Sequence, residues 1–232
     1  MDKYSLNKEK IIKDLDENGY SFLPSIKEII DSHNIYKKYL DEGISDTYSE
    51  STETHKLLIR LMGLEPLFSK LYLLAKKNTK HTIDPNDQYL ISRHVHPGQV
   101  SEGYRGHFDS HFITIVLPVQ IPKKITPKKS GQLIALPKAR KIPKTELNNI
   151  YGKIHWKRRN SESEYDKLIL EKNALELDFS DYKPLIFIGN TTFHGNRPLS
   201  GSNEPRLSML CHLFDTNPKY GVGAFMRLLR NR

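Results

Sequence analysis

Residues 106–119, Gly-His-Phe-Asp-Ser-His-Phe-Ile-Thr-Ile-Val-Leu-Pro-Val, join a His-x-Asp pair directly to an apolar run. The run is rich in β-branched and aromatic residues, so it reads as a buried strand. Residues two apart on a strand point to the same face, so His107 and Asp109 can approach one metal ion together. A third ligand must come from elsewhere in the chain. His194, in the stretch 188–199 (IGNTTFHGNRPL), supplies it 85 residues beyond Asp109.

Working outward, the same character recurs on both sides. YLISRHV, GQLIALP, PLIFIGNTTF and RLSMLCHLF are short β-rich runs separated by Gly, Pro, Asn and Ser. Before residue 80 the pattern is helical. Residues 7–18 form a helix stopped by Gly19. Ser25 and Glu28 make a capping box that opens a second helix, with Ile26, Ile29, Ile30, His33, Tyr36 and Leu40 along one face. A third helical region covers 53–78, broken at Gly63 and restarted by Pro66. Residues 144–176 read as helical in patches. The organisation predicted is one domain, 1–232: helical support over 1–80, then a β body over 87–232 with a basic insertion at 123–176.

Composition supports a packed, soluble protein. The 232 residues are 37% hydrophobic and 9% aromatic, enough for a core. The single cysteine, Cys211, excludes an internal disulfide framework and fits a reducing, cytoplasmic setting. No stretch approaches the roughly 20 apolar residues that span a bilayer, so no membrane association is expected. The net charge of +9 is unevenly placed. Twelve basic residues and one acid, Glu146, lie between Lys123 and Arg159, which gives that segment +11 and leaves −2 for the remainder. Three prolines in it, Pro127, Pro137 and Pro143, with Pro122 just before it, favour loops over long regular elements.

The His-x-Asp pair alone is a weak signal, since ten His and thirteen Asp would produce about 0.6 such pairs by chance. Its company strengthens it. Two imidazoles and one carboxylate, with other positions open, form the ligand set of non-haem Fe(II) oxygenases. Twelve residues after His194 come Arg206 and, two further on, Ser208. A buried guanidinium beside a hydroxyl suits the distal end of a dicarboxylate, which it can grip in a two-pronged fork.

With these residues in view, the sequence resembles the Fe(II)/2-oxoglutarate-dependent oxygenases, especially the phytanoyl-CoA hydroxylase-like branch. The resemblance runs from ENGYSFLPSI (17–26), through His107-Phe108-Asp109 with IVLPVQIP and GQLIALP, to His194 and Arg206-x-Ser208. It implies a double-stranded β-helix, or jelly roll, packed on N-terminal helices. It also implies His107, Asp109 and His194 as iron ligands, and Arg206 with Ser208 as the grip on the 5-carboxylate of 2-oxoglutarate. Dioxygen is the remaining co-substrate, and 2-oxoglutarate is decarboxylated to succinate as substrate is hydroxylated. An aspartate at 109, where related halogenases carry a small residue, favours hydroxylation. One departure stands out: the branch's Gly-Ser-His is Lys138-Ala139-Arg140 here.

Further co-substrate contacts are expected from Arg93, Tyr89, Thr191 and Asn196, and substrate contacts from His111, Tyr104, Arg105 and His94. His212 competes with His194 as the third ligand but lies within an apolar strand. A cationic segment interrupting the β body points to a small, anionic substrate. Nucleic acid is a rival, because Tyr151, His155 and Trp156 interleave with Lys153, Lys157, Arg158 and Arg159. A protein side chain as substrate and a non-catalytic cupin-type binding module are the other readings; nothing in the sequence sets the oligomeric state.

Overall fold

The structure is a computed structural model that describes residues 6–44, 46–50, 52–79, 82–123, 126–143 and 146–216, with the backbone alone for Glu146, Leu147 and Lys153. Lys124 and Lys144 of the basic segment, and the Lys153 side chain, lie outside the described residues.

Helix α1 (Lys8–Asn18) is capped by the Asn7 side chain and ends at Gly19, whose φ of 82° is the left-handed turn that glycine adopts without strain. It leads into β1 (Tyr20–Phe22). The expected second helix is two helices, α2 (Lys27–Ser32) and α3 (Ile35–Asp41). The helix starts one residue later than expected, with Ile26 at its N-cap; the Ser25 hydroxyl donates to the Asp181 carbonyl at 2.7 Å and accepts from Lys27 N–H at 3.5 Å. Asn34, at φ 50°, interrupts the helix. The break resets the buried stripe to Ile35 and Tyr39 and leaves Leu40 exposed. After β2 (Tyr48–Glu50), α4 (Glu53–Leu61) and α5 (Glu65–Asn78) flank Gly63 as expected, with Thr52 capping the first and Pro66 in the first turn of the second.

The β body comprises β3 (Gln88–Val95), β4 (His111–Gln120), β5 (Leu133–Leu136), β6 (Leu175–Leu177), β7 (Leu185–Ile188), β8 (Phe193–Asn196) and β9 (Arg206–Asp215). Helices α6 (Glu146–Lys157) and α7 (Glu162–Lys172) fall between β5 and β6. Two details differ from the sequence reading. The stretch 184–193 holds a turn that separates β7 from β8, and Leu175–Leu177 is a strand rather than helix because it pairs with β5.

Every strand pairing is antiparallel. One sheet has the order β1-β7-β4-β9-β3-β2, the other β6-β5-β8. Alternation assigns their faces. Phe112, Ile113, Ile115, Leu117, Leu207, Met209 and Cys211 pack with the N-terminal helices in the largest hydrophobic cluster. Val116, Leu185 and Phe187 meet Leu133 and Ala135 of the smaller sheet in a second cluster. Pro118 has no N–H to give the ladder, and the pairing with β9 shifts register between Pro118 and Gln120. On the far side of the smaller sheet, Tyr165 and Leu168 of α7 cover Phe108, Ile134 and Phe193. The result is the expected mainly-β jelly roll backed by helices. No helix among the described residues is long and apolar enough to cross a membrane.

Replacing Ile115, fully buried between sheet and helices, by alanine should cost ~2–5 kcal/mol in urea denaturation. Leu170→Ala, on the exposed face of α7, should stay within ~0.5 kcal/mol. Equal effects would contradict the assigned core.

Candidate metal centre

His107 precedes β4 and pairs with β8 as an isolated antiparallel bridge to His194. Each residue's N–H donates to the other's carbonyl, at 2.9 and 3.0 Å. Asp109 N–H donates to Gly189 O at 3.1 Å, fixing the carboxylate against the β7–β8 turn. One ligand atom from each of His107, Asp109 and His194 lies within 4.8 Å of the others, the separation expected around one metal ion. His107 Nε2 is 3.4 Å from Asp109 Oδ1, and His194 Nε2 is 3.5 Å from Oδ2.

Both imidazoles are set for ligation by their other nitrogen. His107 Nδ1 donates to Arg105 O at 2.9 Å, and His194 Nδ1 to Thr192 O at 3.2 Å. Each Nε2 therefore carries its lone pair toward the shared centre. His194 and Asp109 are buried, whereas the His107 side chain is 57% exposed and forms the open side.

Burial pushes His194 down to about 4, with Asp109 opposing, so it stays neutral and ready to ligate near neutral pH. Burial would raise Asp109, yet the charges of His194, His212 and His107 hold it well below the usual carboxylate range. For His107 the crowding protein pulls downward, but the hydrogen bond and charge of Asp109 outweigh it and the value is raised. A proton on His107 thus occupies the place a metal would take.

Thr114 and His212 support the carboxylate, and neither was singled out for that role by the sequence. Thr114 Oγ1 donates to Asp109 Oδ2 at 2.5 Å and sits 3.0 Å from His212 Nδ1. Since the threonine proton goes to Asp109, His212 Nδ1 is the donor to the threonine oxygen. His212 thus contacts Asp109 through Thr114, and it is not in the cluster of described residues that could hold a metal ion. A Cβ at Gly189 would come within 2.8 Å of Thr114 Oγ1 and 3.0 Å of Asp109 Cβ, so glycine makes room for this relay. The sequence signal was slight: one threonine and one histidine inside otherwise apolar strands.

Arg206, Ser208, Leu210 and His212 share the inner face of β9, opposite Val95, Arg93, Ile91 and Tyr89 of β3. The Arg206 guanidinium is buried and donates to Gly131 O, its Nε has no partner, and no ion pair to it is found among the described residues. Burial, together with Arg93, lowers its pKa to about 9. A Cβ at Gly131, which has φ 69°, would meet the guanidinium at 2.9 Å. A buried cation with an unused donor fits a carboxylate ligand, and the triad's nitrogen and oxygen donors fit Fe(II).

The other expected residues divide. Arg93 donates to Asn196 Oδ1 and pairs with Glu102 at 3.2 Å, while Asn196 Nδ2 donates to Gly131 O at 3.1 Å. Both therefore adjoin Arg206. Ser208 is buried opposite Arg93. Tyr89 and His111 stack near the His212 ring, at 6.0 and 5.4 Å. Four residues go elsewhere. His94 faces the helices, edge-on to Tyr36 and Tyr39, because alternation turns it away from Arg93's face. Thr191 turns its hydroxyl onto Ile188 O within the β7–β8 turn. Tyr104 packs edge-on against Tyr165, beyond the smaller sheet. The Arg105 side chain is exposed and pairs with Glu102, while its carbonyl orients His107.

Thr114→Val should weaken Co(II) binding about 10- to 100-fold in calorimetry, and Thr114→Ser should restore it. Unchanged affinity in the valine variant would remove Thr114 from the site. Metal and proton compete for His107 Nε2, the proton winning below its raised value and losing above it. Co(II) affinity should therefore climb with pH through that value and level off above; a flat profile is the contrary result.

No protein-family model and no curated protein matches this sequence. Likeness emerges in three dimensions. A Pseudomonas putida prolyl-4-hydroxylase is 12% identical with a TM-score of 0.55, covering 91% of this chain and 100% of its own. EvdO2 from Micromonospora carbonacea var. aurantiaca, complexed with 2-oxoglutarate, is 14% identical with a TM-score of 0.52 and 96% of each chain covered. SnoN, a non-haem alpha-ketoglutarate-dependent epimerase from nogalamycin biosynthesis, is 12% identical with a TM-score of 0.55, covering 93% of this chain and 87% of its own. At these identities the likeness establishes one thing: this chain shares its fold with these proteins.

Proposed function

We propose that this protein is an Fe(II)- and 2-oxoglutarate-dependent dioxygenase, acting as one domain in the cytoplasm, that hydroxylates a small anionic metabolite. The carrying observation is the His107–Asp109–His194 triad, with both Nε2 atoms turned to one point, and a buried Arg206 on the inner face of β9 with no ion pair among the described residues. The Gly131-x-Leu133 run and the ENGYSFLPSI opening support a phytanoyl-CoA hydroxylase-like reading.

Iron with 2-oxoglutarate would supply the oxidising chemistry, decarboxylation to succinate coupled to hydroxylation of a substrate C–H bond. His107, Asp109 and His194 would hold the metal. Thr114 and His212 keep the carboxylate charged and oriented. Arg206 and Ser208 bind the distal carboxylate of the co-substrate, with Arg93 and Asn196 fixing that end of the cavity. Val116, Leu185 and Phe187 exclude water from between the sheets, and exposed His107 marks where substrate arrives.

Anaerobic Fe(II) plus 2-oxoglutarate should give a weak visible charge-transfer band that is lost in His107→Ala and Asp109→Ala. Arg206→Gln should keep metal binding and raise the 2-oxoglutarate Kd at least about tenfold. A wild-type protein with no band, or a band that survives loss of Asp109, defeats the proposal.

A further inference from the structure

The basic segment is less uniform in space than in sequence. Lys123 pairs with Glu204, Lys128 with Asp166, and Arg159 with Glu164. Lys138 donates to the carbonyls of Asp16 and Glu17 at the end of α1. For Lys141, Lys157 and Arg158, by contrast, no ion pair is found among the described residues. All three lie on or beside α6, where the chain from 140 to 143 and the helix enclose a cleft of about 350 Å3.

The cleft has the chemistry of a binding site. Its lining combines Arg140, Lys141, Ile142, Tyr151, His155 and Trp156, and no carboxylate is among the described lining residues. Tyr151 is 73% exposed, an unusual placement for a large ring, and it lies nearly parallel to His155. Gly152 lets the Arg140 guanidinium approach, since a Cβ there would meet it at 2.7 Å. Arg140 is held by Asn190 O and Asn149 Oδ1 and has no acid partner among the described residues. Flat rings over an apolar floor, rimmed by unneutralised cations, favour a ligand with a flat ring and a negative charge.

The cleft also adjoins the metal motif. Arg140 stacks over the Phe108 ring at 3.9 Å, and Trp156 packs against both Phe108 and Phe193. Phe108 is the residue between two ligands of the triad, and His194 follows Phe193. A molecule in the cleft therefore lies behind Phe108 and Phe193, one layer of side chains from the triad.

We infer that the cleft between residues 140–143 and α6 binds the ring-bearing, anionic end of the substrate, a group of the nucleoside-phosphate type, while the reacting carbon reaches the triad past His107. The role in turnover rests on the dioxygenase reading; the binding itself does not. Trp156, the only tryptophan in the chain, reports on the cleft directly.

The metal-free protein would be titrated with ADP, which has both ring and charge, with adenosine, which lacks the charge, and with pyrophosphate, which lacks the ring, following Trp156 fluorescence. ADP should change it saturably and bind at least about tenfold tighter than either fragment. Tyr151→Ala and Lys141→Gln, both at exposed positions, should each weaken ADP several-fold without shifting Tm. No saturable response, equal affinity for ADP and pyrophosphate, or unchanged ADP affinity in both variants would overturn the inference. So would an oligonucleotide that binds far tighter than ADP and loses affinity steeply with salt, which would make the surface a nucleic-acid platform. The two proposals separate cleanly. Loss of ADP binding with the charge-transfer band intact sinks the cleft alone, and ADP binding without the band sinks the dioxygenase reading alone.

Discussion

Two backbone hydrogen bonds between His107 and His194 hold the rest of this architecture in place. They join a residue ahead of β4 to one within β8, and so fasten the larger sheet to the smaller. Backbone bonds of this kind are only modestly stabilising on net, but they are directional. Here that direction sets two imidazole rings 4.5 Å apart between centroids and leaves Asp109 facing both. Without the bridge, the buried carboxylate would keep Thr114 and His212 but lose the two imidazoles on its other side.

The interior is organised by what each charge is denied. Among the described residues, Asp109 has three histidines and a threonine around it and no ion pair with lysine or arginine. Arg206 shows the reverse, a buried guanidinium given a carbonyl and, among the described residues, no carboxylate. Arg197 shows how a purely structural arginine is treated in the same fold. It is equally buried, but Asp166 and Glu176 pair with it at 2.7 and 2.6 Å. The contrast between the two arginines separates a scaffold from a site more sharply than burial does.

Much of this was legible in the sequence because it depended on local rules. Gly19 and Gly63 ended helices as left-handed turns, and the alternation in residues 206–212 put Arg206 and Ser208 on one face. The triad was legible because its first two members are two residues apart. What escaped reading depended on contacts between distant segments. Ser25 also donates to a carbonyl 156 residues away, and His94 was claimed by the tyrosines of α3. Tyr104 and Thr191 lie near ligands along the chain, but the strand faces and turn bonds direct them elsewhere. Thr114 and His212 announce nothing in a one-dimensional pattern, since their function exists only once β4 and β9 pair.

The segment Lys138-Ala139-Arg140 departs from the resemblance at a structurally busy point. Lys138 reaches one way, to the last carbonyls of α1, and Arg140 the other way, to Phe108 and the β7–β8 turn. Three consecutive residues therefore rivet the first helix to the wall behind His107 and Asp109. Loosening at the amino-terminal end would be felt at Phe108, more than ninety residues away in sequence, so helix and metal motif should melt together as one cooperative unit.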